Sequence, residues 1–129
     1  MNQFTVISTF AGMGGSSQGY KQAGGKVLLA VEFDANAIAT YRANHPATVM
    51  YADDIAKLSV NEALDLTGLQ PGELDIFDGS PPCQGFSTAG KRILSDERNQ
   101  LFREYVRLLA GLQPRAFVME NVSGMVKGK

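Results

Sequence analysis

Five short apolar runs recur along this chain, with a helical pattern or a turn between each and the next. The first is Phe4-Thr-Val-Ile-Ser-Thr9, the second Lys26-Val-Leu-Leu-Ala-Val-Glu32, and a shorter extended piece lies at Val49–Tyr51. Glu73-Leu-Asp-Ile-Phe-Asp78 and Arg115-Ala-Phe-Val-Met-Glu120 complete the set. Runs this short, apolar and β-branched read as buried strands. Gly12 to Gly15 breaks the first strand, and Ser16 or Ser17 can cap a short helix that ends at Gly24-Gly25. Asp34 suits the N-cap of a helix through about Asn44, and His45-Pro46 stops it, which puts His45 in a loop or at the helix end. Residues 59–69 read as a short helix with Leu58, Ala63, Leu66 and Leu69 on its apolar face. From Glu97 to about Leu112, the residues Leu101, Tyr105, Leu108, Leu109 and Leu112 recur at helical spacing, and Pro114 follows. Segment 84–95, rich in Gly, Ser and Thr, reads as a mobile loop.

Strand and helix in regular alternation predict an α/β fold, a doubly wound and mostly parallel sheet. Ligands of such sheets sit at the carboxyl ends of the strands. The distinctive polar residues all fall there: Gly12–Gly15, Glu32, Asp53-Asp54, Pro82-Cys83 and Glu120-Asn121.

Composition narrows the function classes. The length of 129 residues suits one domain with one main site. No apolar stretch approaches a membrane span, and Met1-Asn2-Gln3-Phe4 lacks a basic signal region. A lone Cys fits a reducing, cytoplasmic setting, and one Cys with one His argues against a metal site. The net charge of −1 is not that of a basic nucleic-acid-binding domain, yet it is unevenly spread. Residues 1–90 hold 4 of the 12 Lys+Arg and 9 of the 13 Asp+Glu, whereas residues 91–129 hold 8 and 4. Either these are solvated helix faces, or the second part lies nearer a polyanion.

Four motifs carry chemistry. Phe10-Ala-Gly-Met-Gly-Gly-Ser-Ser-Gln-Gly19 lets a ligand approach the backbone, but Ser17 stands where a dinucleotide fingerprint needs its third glycine. Glu32, twenty residues past Gly12, stands where an acid binds ribose hydroxyls in nucleoside-binding sheets. Together they suggest a nucleoside without a pyrophosphate, such as S-adenosylmethionine; the plain alternative is a tight turn and a surface acid. In Tyr51-Ala-Asp-Asp-Ile55, an Asp either accepts from an adenine amino group beside Ile55 or caps a helix. In Asp75-Ile-Phe-Asp-Gly-Ser-Pro-Pro-Cys-Gln-Gly-Phe-Ser87, two prolines make a stiff mount that suits a nucleophile better than a packing Cys. Glu120, ending an apolar strand, is costly unless used or paired, and suits donation to a ring nitrogen; otherwise it caps a helix or forms a salt bridge.

This ordered set resembles the DNA (cytosine-5)-methyltransferases over essentially the whole chain. The resemblance implies that Phe10 and Phe33 flank the adenine of S-adenosylmethionine, with Gly12, Met13 and Gly15 near its methionine part. It implies Glu32 on the ribose, Asp54 on the adenine amino group beside Ile55, and Pro82 and Leu101 at the methyl end. It makes Cys83 the nucleophile, and it puts Glu120 on N3 of the cytosine. Arg98 looks like part of the family's helix before the Glu-Asn-Val strand. Ser8 departs from the pattern, since many members carry an acid there. The implied partner is double-stranded DNA with a flipped-out cytosine, the product S-adenosylhomocysteine, and no metal. Lys91 and Arg92 are placed to touch phosphate as the 84–95 loop closes.

Family members continue past Glu-Asn-Val, so residues 1–129 are expected to be the N-terminal part of a catalytic domain, without target-recognition or C-terminal motifs. A second chain or copy would then complete the fold. The competing readings are a cofactor- or partner-binding fragment inactive alone, and a nicotinamide-dependent oxidoreductase, which the broken glycine fingerprint and the Pro-Pro-Cys mount disfavour.

Overall fold

The computed structural model describes residues 3–82 and 99–120. Its elements are β1 (Thr5–Thr9), α1 (Gly15–Gln22), β2 (Lys26–Val31), α2 (Ala35–Asn44), β3 (Val49–Tyr51), a 3-10 turn (Ile55–Lys57), α3 (Val60–Thr67), β4 (Ile76–Gly79), α4 (Gln100–Leu112) and β5 (Ala116–Met119). The strands form one sheet in the order β3-β2-β1-β4-β5, and every pairing is parallel. The chain thus winds outward from β1 through β2 to β3, then returns to the other side of β1 with β4. That reversal is the switch point where such sheets open a crevice.

Local chemistry accounts for several boundaries. The Asp34 carboxylate accepts from the Ala37 N–H at 2.8 Å, and the Ser59 hydroxyl accepts from the Glu62 N–H at 3.0 Å, so α2 and α3 start on side-chain caps. Gly68 ends α3 at a φ of 73°, a conformation that costs a glycine little.

Three expectations needed correction. Neither Ser16 nor Ser17 caps α1; the cap is Gly14 at a φ of 100°, and Ser17 is buried, its hydroxyl 2.8 Å from that of Tyr41. The turn into the helix demands a left-handed residue, which serine adopts only with strain. Leu66 is exposed, and the inner side of α3 is supplied by Ala63, with Leu58, Leu64 and Leu69 packed beside it. The fourth strand starts at Ile76, because the Asp75 carboxylate is used to receive the Thr5 N–H at 2.9 Å.

The larger core lies on one face of the sheet, where Ile7, Leu29, Val31 and Phe77 meet Leu58, Ala63, Tyr105, Leu108 and Leu112. Each large side chain fully buried there contributes about 1.5–3 kcal/mol. The opposite face carries a smaller cluster of Ala11, Ala30 and Tyr41, which seats α2.

Candidate functional site

A cleft of about 330 Å³ opens at the carboxyl ends of the strands. Phe10 enters it after β1, Glu32 and Phe33 after β2, Asp54 and Ile55 after β3, Pro82 after β4, and Leu101 from the first turn of α4. Seven residues expected to bind cofactor therefore share one cavity, joined by Val31, Asp34 and Asp53. Met13 and Gly15 line a neighbouring hollow with Gly14, Gln18, Asn44 and His45.

Glu32 organises the near wall. Its Oε1 accepts from the Gly12 N–H at 2.7 Å, and its Oε2 accepts from the Phe33 and Asp34 N–H groups, each at 2.9 Å. One carboxylate thereby binds the glycine turn to the end of β2 through three charge-assisted bonds. Gly12 itself sits at a φ of 60°, and Phe10 at 51°. A left-handed phenylalanine is uncommon and strained, and here it belongs to the cleft wall. The residue pattern foretold the turn but not this strain.

Asp54 caps the 3-10 turn, its Oδ1 receiving the Ala56 N–H at 2.9 Å. The capping reading of this Asp is therefore correct as geometry, and the same residue also lines the cleft. Asp53 receives the Asp54 N–H at 2.7 Å and lies 3.6 Å from Lys57, a solvent-exposed pair of little energetic weight. Ile55 is buried, giving the cavity an apolar wall.

The cleft's charge is its most selective property. Glu32, Asp34, Asp53 and Asp54 all line it, and no Lys or Arg does so among the described residues. A pyrophosphate would meet repulsion from four carboxylates. A ligand with an apolar ring, hydroxyl and amino donors, and a positive charge fits the acceptors and apolar walls that are present. S-adenosylmethionine has that character.

The ends of β4 and β5 form a second group. Asp78 is 5% exposed; its Oδ1 receives the Tyr20 hydroxyl at 2.9 Å and its Oδ2 the Ser8 hydroxyl at 3.1 Å. Burial pushes its carboxyl above the usual range, against the two hydrogen bonds, and the Glu120 charge adds to the rise. Burial, then the Asp78 charge, pushes the Tyr20 phenol up as well, so Tyr20 stays a donor. Asp78 was legible only as a strand end, because its weight comes from Ser8 and Tyr20, distant in sequence. Ser8 thus touches an acid on the strand paired with its own.

On the other side of these strands, the Tyr105 hydroxyl donates to the Val118 carbonyl at 2.9 Å, and the Thr9 hydroxyl donates to the Asp78 carbonyl at 2.9 Å. Gly79 fits between them; a Cβ there would lie 2.6 Å from the Tyr105 ring and against the Thr9 hydroxyl. The Glu120 N–H donates to the Gly79 carbonyl at 3.1 Å, and the Glu120 side chain is exposed. Cys83, the expected nucleophile, lies outside the described residues, as do Lys91, Arg92, Arg98 and the 84–95 loop.

His45 also carries more than its sequence position suggested. It caps the C-terminus of α2, is 2% exposed, and packs against Tyr41 at a tilt of 41°, with ring centroids 4.7 Å apart. Among the described residues no helix is long and apolar enough to cross a membrane, and no group of three His, Cys, Asp or Glu is placed to hold a metal ion.

A family model described as C-5 cytosine-specific DNA methylase matches residues 4–129. The chain is 41% identical to Type II methyltransferase M.AgeI of Thalassovita gelatinovora over 94% of its own length and 28% of that protein's. It is 41% identical to Type II methyltransferase M.AquIA of Picosynechococcus sp., covering 96% of this chain and 52% of that one. Among solved structures, a prophage-encoded putative DNA modification methyltransferase from E. coli superposes with a TM-score of 0.80 at 38% identity, over 95% of this chain and 33% of that one. A mutant of Spodoptera frugiperda DNMT2 superposes with a TM-score of 0.72 at 26% identity, over 97% and 37%. The chain thus spans between 28% and 52% of the length of these relatives.

Proposed function

The chain belongs to the C-5 cytosine-specific DNA methylase family, and on that premise we propose that its cleft takes S-adenosylmethionine and serves methyl transfer to C5 of cytosine in DNA. The observation that carries this reading is the cleft lined by four carboxylates and apolar side chains with no lining cation among the described residues. In this reading the Phe10 and Phe33 rings and Ile55 hold the adenine, Asp54 accepts from its amino group, and Glu32 accepts from the ribose hydroxyls. Pro82 and Leu101 close the methyl end, while Gly12, Met13 and Gly15 face the methionine part. The bound cofactor supplies an electrophilic methyl group on a sulfonium.

The chain's own residues then make C5 a nucleophile. Cytosine C5 is unreactive because its electrons belong to the aromatic ring. The Cys83 thiolate would add to C6, and the electron pair released toward C5 would take up the methyl group as its bond to the sulfonium sulfur breaks, with S-adenosylhomocysteine as the leaving group. Glu120 holds N3 by a proton or hydrogen bond and draws charge from C6 as the sulfur adds. Passage of the C5 proton to solvent water, with departure of the thiolate from C6, would restore the ring and leave the cysteine as it began. The base must leave the duplex to present C6, which makes double-stranded DNA with a flipped cytosine the partner. We read residues 1–129 as the N-terminal part of the catalytic domain, since the matched relatives are longer.

That same partial coverage favours a second reading, in which this chain binds cofactor and turns over only with a partner chain. One experiment separates the two: transfer of the labelled methyl group from S-adenosylmethionine to cytosine-containing duplex DNA. Transfer that disappears in Cys83→Ala and survives in Asp65→Ala, a change at an exposed position of α3, supports the catalytic reading.

A further inference from the structure

The hollow beside the cleft holds a device that neither the motifs nor the relatives assign. Two consecutive residues at the end of α2 grip two consecutive carbonyls of the glycine turn. The Asn44 side-chain amide donates to the Met13 carbonyl at 3.3 Å, and His45 Nε2 lies 3.0 Å from the Gly14 carbonyl. The other ring nitrogen, Nδ1, lies 2.8 Å from Lys21 Nζ, which also donates to the Thr48 hydroxyl at 3.0 Å.

These contacts settle the tautomer. A lysine ammonium has no lone pair, so it donates and Nδ1 accepts. Nε2 therefore carries the hydrogen and donates to Gly14 O. That carbonyl also receives the Gln18 N–H at 2.9 Å, the first bond of α1, so both of its lone pairs are used. The ring is packed so closely that a Cβ on Gly14 would lie 2.6 Å from His45 Cδ2 and Nε2. Gly14 has no side chain of its own to cap α1; its N–H donates to the Ala11 carbonyl at 3.2 Å, and its carbonyl is held from α2.

We infer that His45, oriented by Lys21, is a positioning residue for the cofactor: it fixes the Gly14 carbonyl and so holds the glycine turn against the methionine end of S-adenosylmethionine. The turn is then clamped from two sides, by Glu32 through the Gly12 N–H and by His45 through the Gly14 carbonyl. This inference rests on the cofactor reading above. It assigns the ring's hydrogen bonds, rather than its bulk, as the part that matters.

Two substitutions oppose these alternatives. His45→Phe keeps an aromatic ring against Tyr41 and removes both hydrogen bonds; His45→Gln loses the ring but keeps a donor and an acceptor. The test is calorimetric titration of the full chain with S-adenosylhomocysteine, beside thermal melting. His45→Phe is expected to raise Kd roughly tenfold, with His45→Gln closer to the wild-type value than His45→Phe. The reverse order, or equal affinity in all three proteins, overturns the inference. Should His45→Phe fail to fold, Lys21→Met serves: Nδ1 loses its donor and Kd should rise, while the ring's ¹⁵N spectrum should keep the Nε2–H tautomer that the Gly14 carbonyl requires. An unchanged Kd overturns it. Absence of binding by the wild-type chain would instead overturn the cofactor reading and the inference with it.

Discussion

The Gly12 N–H donates to Glu32 Oε1 at 2.7 Å, joining the turn after β1 to the end of β2 across twenty residues. Because the same carboxylate also receives the Phe33 and Asp34 N–H groups, Glu32 shapes the cleft before any ligand arrives. Glu32→Ala leaves three backbone donors without their acceptor and should cost about 1–3 kcal/mol of stability. Glu32→Gln keeps an acceptor and should melt closer to wild type, while still weakening nucleoside binding through the lost charge. Thermal melts with and without S-adenosylhomocysteine check both parts.

Ligand charge gives a second prediction. With four carboxylates and no cation lining the cleft among the described residues, adenosine should bind better than adenosine diphosphate, by roughly tenfold or more at low salt. Raising the ionic strength should narrow the gap. Competition against labelled S-adenosylmethionine measures it, and a preference for the diphosphate would favour the dinucleotide reading.

Much of this arrangement was legible in the residues, because strand ends and caps are local. Short apolar runs, Asp34 as a cap and the acids after β2 and β3 can be read from neighbouring residues alone. The positive φ of Phe10, the depth of His45 and the partners of Asp78 cannot. Each depends on residues brought close only by the sheet. Leu66 misled for the related reason that a helical stripe does not say how far its edge is covered.

Asp78 gives a pH prediction. Its folded carboxyl titrates above its ordinary value of 3.8, chiefly through burial. The folded state then holds this proton more tightly than the unfolded state, so the group's contribution to stability falls as pH rises from about 3.8 upward. Asp78→Asn removes that dependence. The melting temperature of the variant relative to wild type should therefore climb with pH from that point to the raised folded pKa and level off above it; a flat difference across the acid range would show that burial is not felt.

Packing at the end of β4 gives a fourth. Gly79→Ala places a methyl group against the Tyr105 ring and the Thr9 hydroxyl and should destabilise the fold by about 1–3 kcal/mol. Tyr105→Phe keeps the ring but frees the Val118 carbonyl it serves, with an expected cost of about 1 kcal/mol. Chemical denaturation resolves both.

Whether the cleft is the cofactor site is read most plainly by site-resolved titration of the ¹⁵N-labelled chain with S-adenosylhomocysteine. Saturable, one-to-one shifts are expected, concentrated at the amides of Gly12, Phe33, Asp54 and Ile55. Saturable shifts at other surfaces, or none at these four, would contradict the assignment.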